Sequence, residues 1–189
     1  MAIGSRITPI EHEEAERIVQ ECLERHGYAV QPMAYHHYFD PGLAQIVGRC
    51  NQPTSLYVRT LADRLAVKMP RLFEVEVKDE LKQDYPNASV EVFPLLIHTY
   101  LYLSFGVDCL YAFVFPDDIK ACWAQCVKLK EIIIPQRWRP MEKAYWEPKI
   151  RQYFGGVPLR SLQTGGSGDP FGLVPPAALN DMKSIEAYL

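Results

Sequence analysis

The 189-residue chain has few of the features that mark a secreted, disulfide-rich or membrane-spanning protein. Its five cysteines lie at positions 22, 50, 109, 122 and 126, without a C-x-x-C pair. This pattern argues against a disulfide framework and a zinc ribbon, and it favours a reducing compartment. The N-terminal sequence lacks the apolar segment of a secretory signal, and the longest uncharged run, residues 92–107, is shorter than a membrane helix requires. We therefore expect a soluble, intracellular (cytoplasmic) protein.

No single charge sign dominates the chain. Its formal net charge is −3 and its pI is about 6.0, so the overall charge does not indicate a nucleic-acid-binding protein. The glycine-rich run at 164–169 lacks the Lys-Thr/Ser that completes a phosphate-binding P-loop. Apolar residues make up 48% and charged residues 23%, which is typical of a globular protein. A chain of this length can bury roughly 70% of its unfolded surface, so it requires no disulfide to fold.

The apolar pattern predicts an alternation of helices and strands. Helical spacing predicts a helix over 9–26, ended by Gly27, and a buried helix over 90–105, ended by Gly106. The Pro116-Asp117-Asp118 run predicts the start of another helix, continuing to about Gln125. β-Forming residues predict strands over 28–34, 61–68, 72–78, 107–115 and 127–134. The order is one helix, three strands, a helix and a strand, followed by a further helix and strand, which indicates an α/β fold.

The composition changes at residue 135, and we expect a core domain over 1–134 and a C-terminal extension, 135–189, packed on it. Residues 136–160 hold six basic residues against two glutamates, interleaved with aromatic residues. This pattern predicts a surface for nucleic-acid phosphates, with Trp or Tyr stacking on bases. A solvated surface with its aromatic residues packed on the core is the alternative. The basic residues of the predicted surface are Arg137, Arg139, Lys143, Lys149 and Arg151.

The strongest chemical signal lies between residues 63 and 78. If Met69-Pro70 closes a hairpin in which residue 68 faces residue 71, Asp63 lies opposite Glu76, with Cβ atoms about 5 Å apart. Two carboxylates at that distance repel each other unless a cation lies between them, and Mg²⁺ or Mn²⁺ suits oxygen ligands. Lys78 shares the strand face of Glu76 because side chains alternate along a strand. A slip by one residue would move Asp63 to the other face.

Asp63 followed by Glu76-Val77-Lys78 resembles the active-site signature of the PD-(D/E)xK nuclease superfamily, although Ala62 stands where the signature usually has proline. Residues 15–28 resemble the first helix of the archaeal Holliday-junction-resolvase branch. The resemblance covers about residues 9–115, whereas residues 35–56 are longer than in that branch and 135–189 have no counterpart. It implies a restriction-endonuclease-like fold, with an αβββαβ core whose mixed central sheet is flanked by helices, and it makes residues 1–134 a nuclease-like domain.

The resemblance also implies a function. It implies a Mg²⁺-dependent endodeoxyribonuclease that hydrolyses phosphodiester bonds in DNA, including branched DNA. Asp63, Glu76 and Lys78 would be the catalytic residues, and His98 would be an accessory residue on the following helix. We expect DNA as partner, a homodimer and no membrane, and the identity of any protein partner stays open. One or two Mg²⁺ or Mn²⁺ ions would be held by Asp63, Glu76, the Val77 carbonyl and Glu16.

Less specific interpretations stay open. The chain could be a catalytically inactive nuclease-fold module that binds protein or DNA, or an unrelated α/β protein with acidic residues on its surface. Glu16 could be an ordinary acid on a helix surface, and His98 a core histidine. The HHYFD run at 36–40 is a candidate substrate-contacting loop. Binding of Mg²⁺ or Mn²⁺ would distinguish an enzyme from an inactive module.

Overall fold

The computed structural model describes residues 9–34, 42, 58, 60–80, 88–138, 140–155, 158–162 and 169–182. Helices span Pro9–Arg25 (α1), Val92–Phe105 (α2) and Pro140–Phe154 (α3). The first strands are β1 (Ala29–Pro32), β2 (Arg64–Lys68), β3 (Arg71–Asp79), β4 (Ser89–Glu91) and β5 (Cys109–Val114). The remaining strands are β6 (Ile119–Trp123), β7 (Ile132–Pro135), β8 (Leu159–Leu162), β9 (Phe171–Leu173) and β10 (Asn180–Asp181).

The strands form two sheets. The central sheet has six strands in the order β1-β2-β3-β5-β6-β10. It is mixed, because β3 and β5 run parallel whereas the other neighbouring pairs run antiparallel. The second sheet has four strands in the order β4-β9-β7-β8. The architecture is therefore mixed α/β, with a mixed sheet between helices.

The two faces of the central sheet bury different residues. One face packs against α1, whose apolar residues lie in a cluster with Val75 and Val77 of β3. The other face packs against α2 and the second sheet in a cluster that also contains Trp138 and Trp146. Both tryptophans contact Phe93 near the start of α2, with ring centroids 5.2 Å and 4.4 Å away. Alternation along β3 thus places its valines towards α1 and Glu74 and Glu76 on the opposite face.

Several elements agree with the sequence pattern. The hairpin pairs Lys68 with Arg71 and continues in the expected register to Arg64 opposite Val75. The helix predicted over 90–105 is α2, and Gly106 ends it with φ of 68°, a left-handed conformation that glycine adopts without strain. Its amide donates to the carbonyl oxygens of Leu101 and Tyr102, so the last turn of the helix is satisfied.

Other predictions are wrong. Residues 119–123 form β6 rather than a helix, because Pro116–Asp118 makes a tight turn in which the Phe115 amide donates to the Asp118 carbonyl (2.9 Å). The predicted strand at 127–134 is reduced to β7, and β7 belongs to the second sheet. Residues 171–173, where the sequence pattern predicts no strand, form β9, which pairs with both β4 and β7.

The element order also differs slightly from the expected one. The short strand β4 lies between β3 and α2 and pairs with β9 in the second sheet. The candidate loop at 36–40 lies outside the described residues, as does Arg139. Within the parts of the chain that the structure describes, no helix has the length and apolar character to cross a membrane.

Candidate active site at the open end of the β2–β3 hairpin

Asp63 lies immediately before β2, at the end of the hairpin away from its turn. Its buried Oδ2 accepts a hydrogen bond from the backbone N–H of Val77 at 2.7 Å. In a strand, the N–H and C=O of one residue point to the same side. The Val77 carbonyl therefore borders the same space as the Asp63 carboxylate, between Glu76 and Lys78 in the sequence of β3.

Glu76 and Lys78 lie on one face of β3 and contact each other. Lys78 Nζ donates to Glu76 Oε1 at 2.7 Å and lies 3.4 Å from Oε2 of Glu91, at the end of β4. Burial, reinforced by the negative charge of Asp63, raises the pKa of Glu76 to about 8, although Lys78 opposes this. Burial lowers the pKa of Lys78, but the charges of Glu76 and Glu91 outweigh it, so the net direction is upward. Lys78 is therefore a fixed ammonium group inside an acidic cluster.

His12 on α1 connects two of the carboxylates. Its Nε2 lies 3.4 Å from Glu16 Oε1 and 3.7 Å from Asp63 Oδ1. These two acids, Asp63 more strongly, raise the pKa of His12 to about 10. Burial alone would raise the pKa of Asp63, but His12, the charge of Lys78 and the Val77 amide lower it below its usual range. Asp63 is therefore ionised at neutral pH.

Glu16 is held in the interior by an arginine. Arg64 Nη2 donates to Glu16 Oε2 at 2.6 Å, and both side chains are buried. Arg64 is the first residue of β2, directly after Asp63, so one strand end presents a carboxylate and a guanidinium side by side. The contact fixes α1 against the open end of the hairpin, where Glu16 approaches Asp63 through His12.

His98 is placed as a structural residue rather than as a partner of Lys78. Tyr111 Oη lies 2.8 Å from its Nδ1, and the Thr60 carbonyl lies 2.9 Å from its Nε2. Burial lowers the pKa of His98 to about 4, so the ring is neutral and both nitrogens are engaged within the core. The polar residue from the α2 region that reaches Lys78 is Glu91 rather than His98.

A second group of potential ligands lies deeper in the same face. Side-chain atoms of Glu74, His98 and Cys109 lie within 4.8 Å of one another, and all three residues are buried. Since both nitrogens of His98 already have partners, we interpret this group as part of the core. Directly after β3, burial raises the pKa of Glu80 to about 7, although the Ser89 amide and hydroxyl hydrogen-bond to its carboxylate.

The basic segment folds mainly as α3. Lys149 Nζ donates to Tyr145 Oη at 2.7 Å, and Arg151 bonds to Glu147 at 2.9 Å. Lys143 is exposed. Arg137, also exposed, precedes the helix. The binding role of these residues stays a prediction, and the buried tryptophans of this region serve the core.

The chemistry of the donor set fits a hard divalent cation. Asp63 and Glu76 offer carboxylate oxygens, the Val77 carbonyl borders the same space, and Glu16 lies nearby through His12. Mg²⁺ and Mn²⁺ take oxygen ligands of this kind. Burial is the main cause of the raised pKa of Glu76, and the negative charge of Asp63 adds to it. A cation bound between the two carboxylates would remove this electrostatic repulsion.

The sequence analysis did not identify His12 as part of the site. A signal was available, because His12 and Glu16 are four residues apart and therefore lie on one face of α1. Six acids on the same helix, Glu16 among them, obscured that signal, since each of them could be the one that faces the sheet. Only the packing of α1 against the sheet selects Glu16, and His12 with it.

Comparison with known proteins finds likeness to solved structures but not to any family model. The chain resembles the solved structure of Hjc, a Holliday junction resolvase from Archaeoglobus fulgidus, an archaeal hyperthermophile, with a TM-score of 0.44 and 15% identity. The match covers 64% of this chain and 79% of that one. No family model matches the chain, and no curated protein matches it in sequence. At this level the likeness does not assign an activity.

Proposed function

We propose that the chain is a metal-dependent endonuclease that hydrolyses phosphodiester bonds in DNA. One observation carries the proposal: the Asp63 carboxylate is hydrogen-bonded to the Val77 amide, between Glu76 and Lys78, so that two acids and a lysine converge at one strand end. Carboxylates can bind a metal cation while an adjacent ammonium group contacts a phosphate. A purely structural ion pair would require only one carboxylate beside Lys78.

The residues have distinct roles in this proposal. Asp63 and Glu76, with the Val77 carbonyl and Glu16, would hold one or two Mg²⁺ or Mn²⁺ ions. Such an ion polarises a phosphate and lowers the pKa of a bound water. Lys78 places a positive charge beside the carboxylates, where it would offset the negative charge that develops on the phosphate during cleavage.

We propose a nuclease-like core domain whose C-terminal extension adds β8 and β9 to the second sheet and β10 to the central sheet. We assign the αβββαβ core to residues 1–134 and the extension to 135–189. Trp138 and Trp146 of the extension pack on Phe93, two residues after Glu91, which contacts Lys78. These contacts join α3 to the start of α2, which directly follows Glu91. We propose that the basic residues on and before α3 contact DNA phosphates and that the enzyme acts as a homodimer on branched or otherwise structured DNA.

Cleavage of a small DNA panel tests the proposal. The panel holds supercoiled plasmid, linear duplex, single strand and a four-way junction, each incubated with Mg²⁺, Mn²⁺ or EDTA. We expect the wild type to cut at least one substrate only with metal. Asp63→Asn, which keeps the side-chain shape, should abolish cutting, and Lys78→Met should reduce its rate by roughly 10²–10³-fold.

The matched control is Glu74→Gln, because Glu74 lies one pleat before Glu76 on the same face of β3. This variant should cut at nearly the wild-type rate, with its fold checked by circular dichroism. Full activity in Asp63→Asn would contradict the assignment of the site. Equal loss in Glu74→Gln and Asp63→Asn would indicate general damage to the strand.

A catalytically inactive module for DNA or protein binding is the second candidate. It is favoured by the direct ion pair of Lys78 with Glu76, because this pair compensates the carboxylate without a metal ion. Such a module would bind the four-way junction or duplex without cutting it in Mg²⁺ or Mn²⁺. Absence of cutting at protein concentrations above that of the DNA, together with retained binding, would favour this candidate.

A further inference from the structure

His12 and Glu16 lie one helical turn apart on α1, and both approach Asp63. His12 Nε2 is 3.4 Å from Glu16 Oε1 and 3.7 Å from Asp63 Oδ1. One ligand atom from each residue lies within 4.8 Å of the others. Ligands around one first-row metal ion bind it at about 2.0–2.2 Å, so their atoms lie about 3 Å apart or more. The spacing of these three atoms thus suits a single ion with only small side-chain movements.

Both carboxylates of this group are already oriented by other partners. Arg64 binds Oε2 of Glu16, and the Val77 amide binds Oδ2 of Asp63. In each case the other oxygen, Oε1 or Oδ1, is the one that faces the His12 ring. Supporting contacts of this kind hold metal ligands in place. Two separate donors therefore turn two oxygens towards one imidazole nitrogen.

We infer that His12, Glu16 and Asp63 form a ligand set with one nitrogen and two oxygens for a divalent transition-metal ion, which on binding displaces the Nε2 proton of His12 to solvent. An imidazole ligand favours first-row transition-metal ions, Zn²⁺ and Co²⁺ more than Mn²⁺, over Mg²⁺, which prefers oxygen and water. The inference deepens the proposed function and rests on it for the role of Asp63. It adds a ligand from α1 and a preference among metals that the Asp63–Glu76 pair alone does not provide.

An ion can reach this group from solvent. The His12 side chain is 32% exposed, whereas Glu16 is 2% exposed and Asp63 11% exposed. His12 thus lies at the outer edge with the carboxylates behind it. The competing interpretation is that His12 is only a cation bridging two acids. That interpretation predicts a stabilising contact without a nitrogen–metal bond, so spectroscopy of the bound metal separates the two.

The test uses Mn²⁺ and the full-length chain without DNA. Pulsed electron paramagnetic resonance of bound Mn²⁺ should show coupling to a ¹⁴N nucleus from the His12 ring. His12→Gln should remove that coupling and weaken Mn²⁺ binding by at least about 10-fold, with a smaller change for Mg²⁺. The matched control is His26→Gln, since His26 directly follows α1 and bonds to the Cys22 carbonyl instead. This control should keep the coupling.

The outcomes separate this inference from the proposed function. Mn²⁺ bound without nitrogen coupling in the wild type would overturn the inference while leaving an oxygen-only metal site. No bound Mn²⁺ would also overturn it, and DNA cleavage in Mg²⁺, measured in parallel, would report separately on the nuclease. Nitrogen coupling that His12→Gln removes, in a protein that cuts no DNA, would support the inference and contradict the nuclease. If His12→Gln unfolds, His12→Asn serves as the second variant, and the wild-type spectrum remains decisive.

Discussion

Replacing Arg64 by methionine should destabilise the protein strongly, because it would leave Glu16 charged and buried. Arg64 Nη2 and Glu16 Oε2 lie 2.6 Å apart, and the side chains are 8% and 2% exposed. Arg64 also donates to the Asp63 carbonyl at 3.3 Å. The guanidinium therefore compensates a carboxylate that has little access to water. Methionine retains much of the volume but none of the charge.

The magnitude follows from this burial. Removing one partner of a buried ion pair typically costs about 3–5 kcal/mol. For a chain of this length, each kcal/mol corresponds to roughly 2–4 °C in Tm, so we expect Arg64→Met to lower Tm by roughly 6–20 °C. The double variant Arg64→Met with Glu16→Leu should recover a large part of the loss, because two apolar side chains require no charge compensation.

Urea titrations of the wild type, both single variants and the double variant give the coupling free energy between the two residues. The matched control is Arg17→Met, because Arg17 bonds to Glu14 and Glu21 on the exposed face of the same helix. We expect little change for this control, since solvent screens exposed pairs. The reasoning would be refuted if Arg64→Met were as mild as Arg17→Met, or if the two losses at Arg64 and Glu16 were simply additive.

Two further predictions concern the second sheet and the end of β3. A Cβ at Gly172 would overlap the carbonyl oxygen of Glu131, so Gly172→Ala should cost at least about 1–3 kcal/mol in urea titrations, and a variant as stable as the wild type would contradict this close approach. Folding raises the pKa of Glu80 from 4.5 to about 7. Between these pH values the unfolded chain has lost the Glu80 proton whereas the folded chain keeps it, so the free energy of unfolding falls as pH rises. Glu80→Gln should therefore gain stability over the wild type by up to about 3 kcal/mol between pH 4.5 and 7, and a pH-independent difference in thermal unfolding would contradict this.

The parts of the fold that the sequence predicted well depend on short-range signals. The β2–β3 hairpin follows from two β-forming runs around Met69-Pro70, and its register places Arg64 opposite Val75 as expected. The end of α2 follows from one glycine. The sequence predicted a helix where residues 116–118 form a turn, because proline and aspartate are common at the start of both helices and turns. Residues 119–123 form a strand rather than a helix because they pair with β5.

The parts that could not be predicted depend on contacts between distant segments. Strand β4 pairs with β9, and neither three-residue strand carries a pattern of its own. The residues of the candidate site likewise fall into those that local patterns predict and those that only packing brings together. Glu76 and Lys78 share a strand face through alternation, and Asp63 follows from the hairpin register, so local rules bring these three together. His12 requires the docking of α1, and Glu91 requires the position of β4 beside the end of β3. Local sequence rules thus predict a site within one hairpin, whereas His12 and Glu91, which border that site, come from elements whose placement depends on packing.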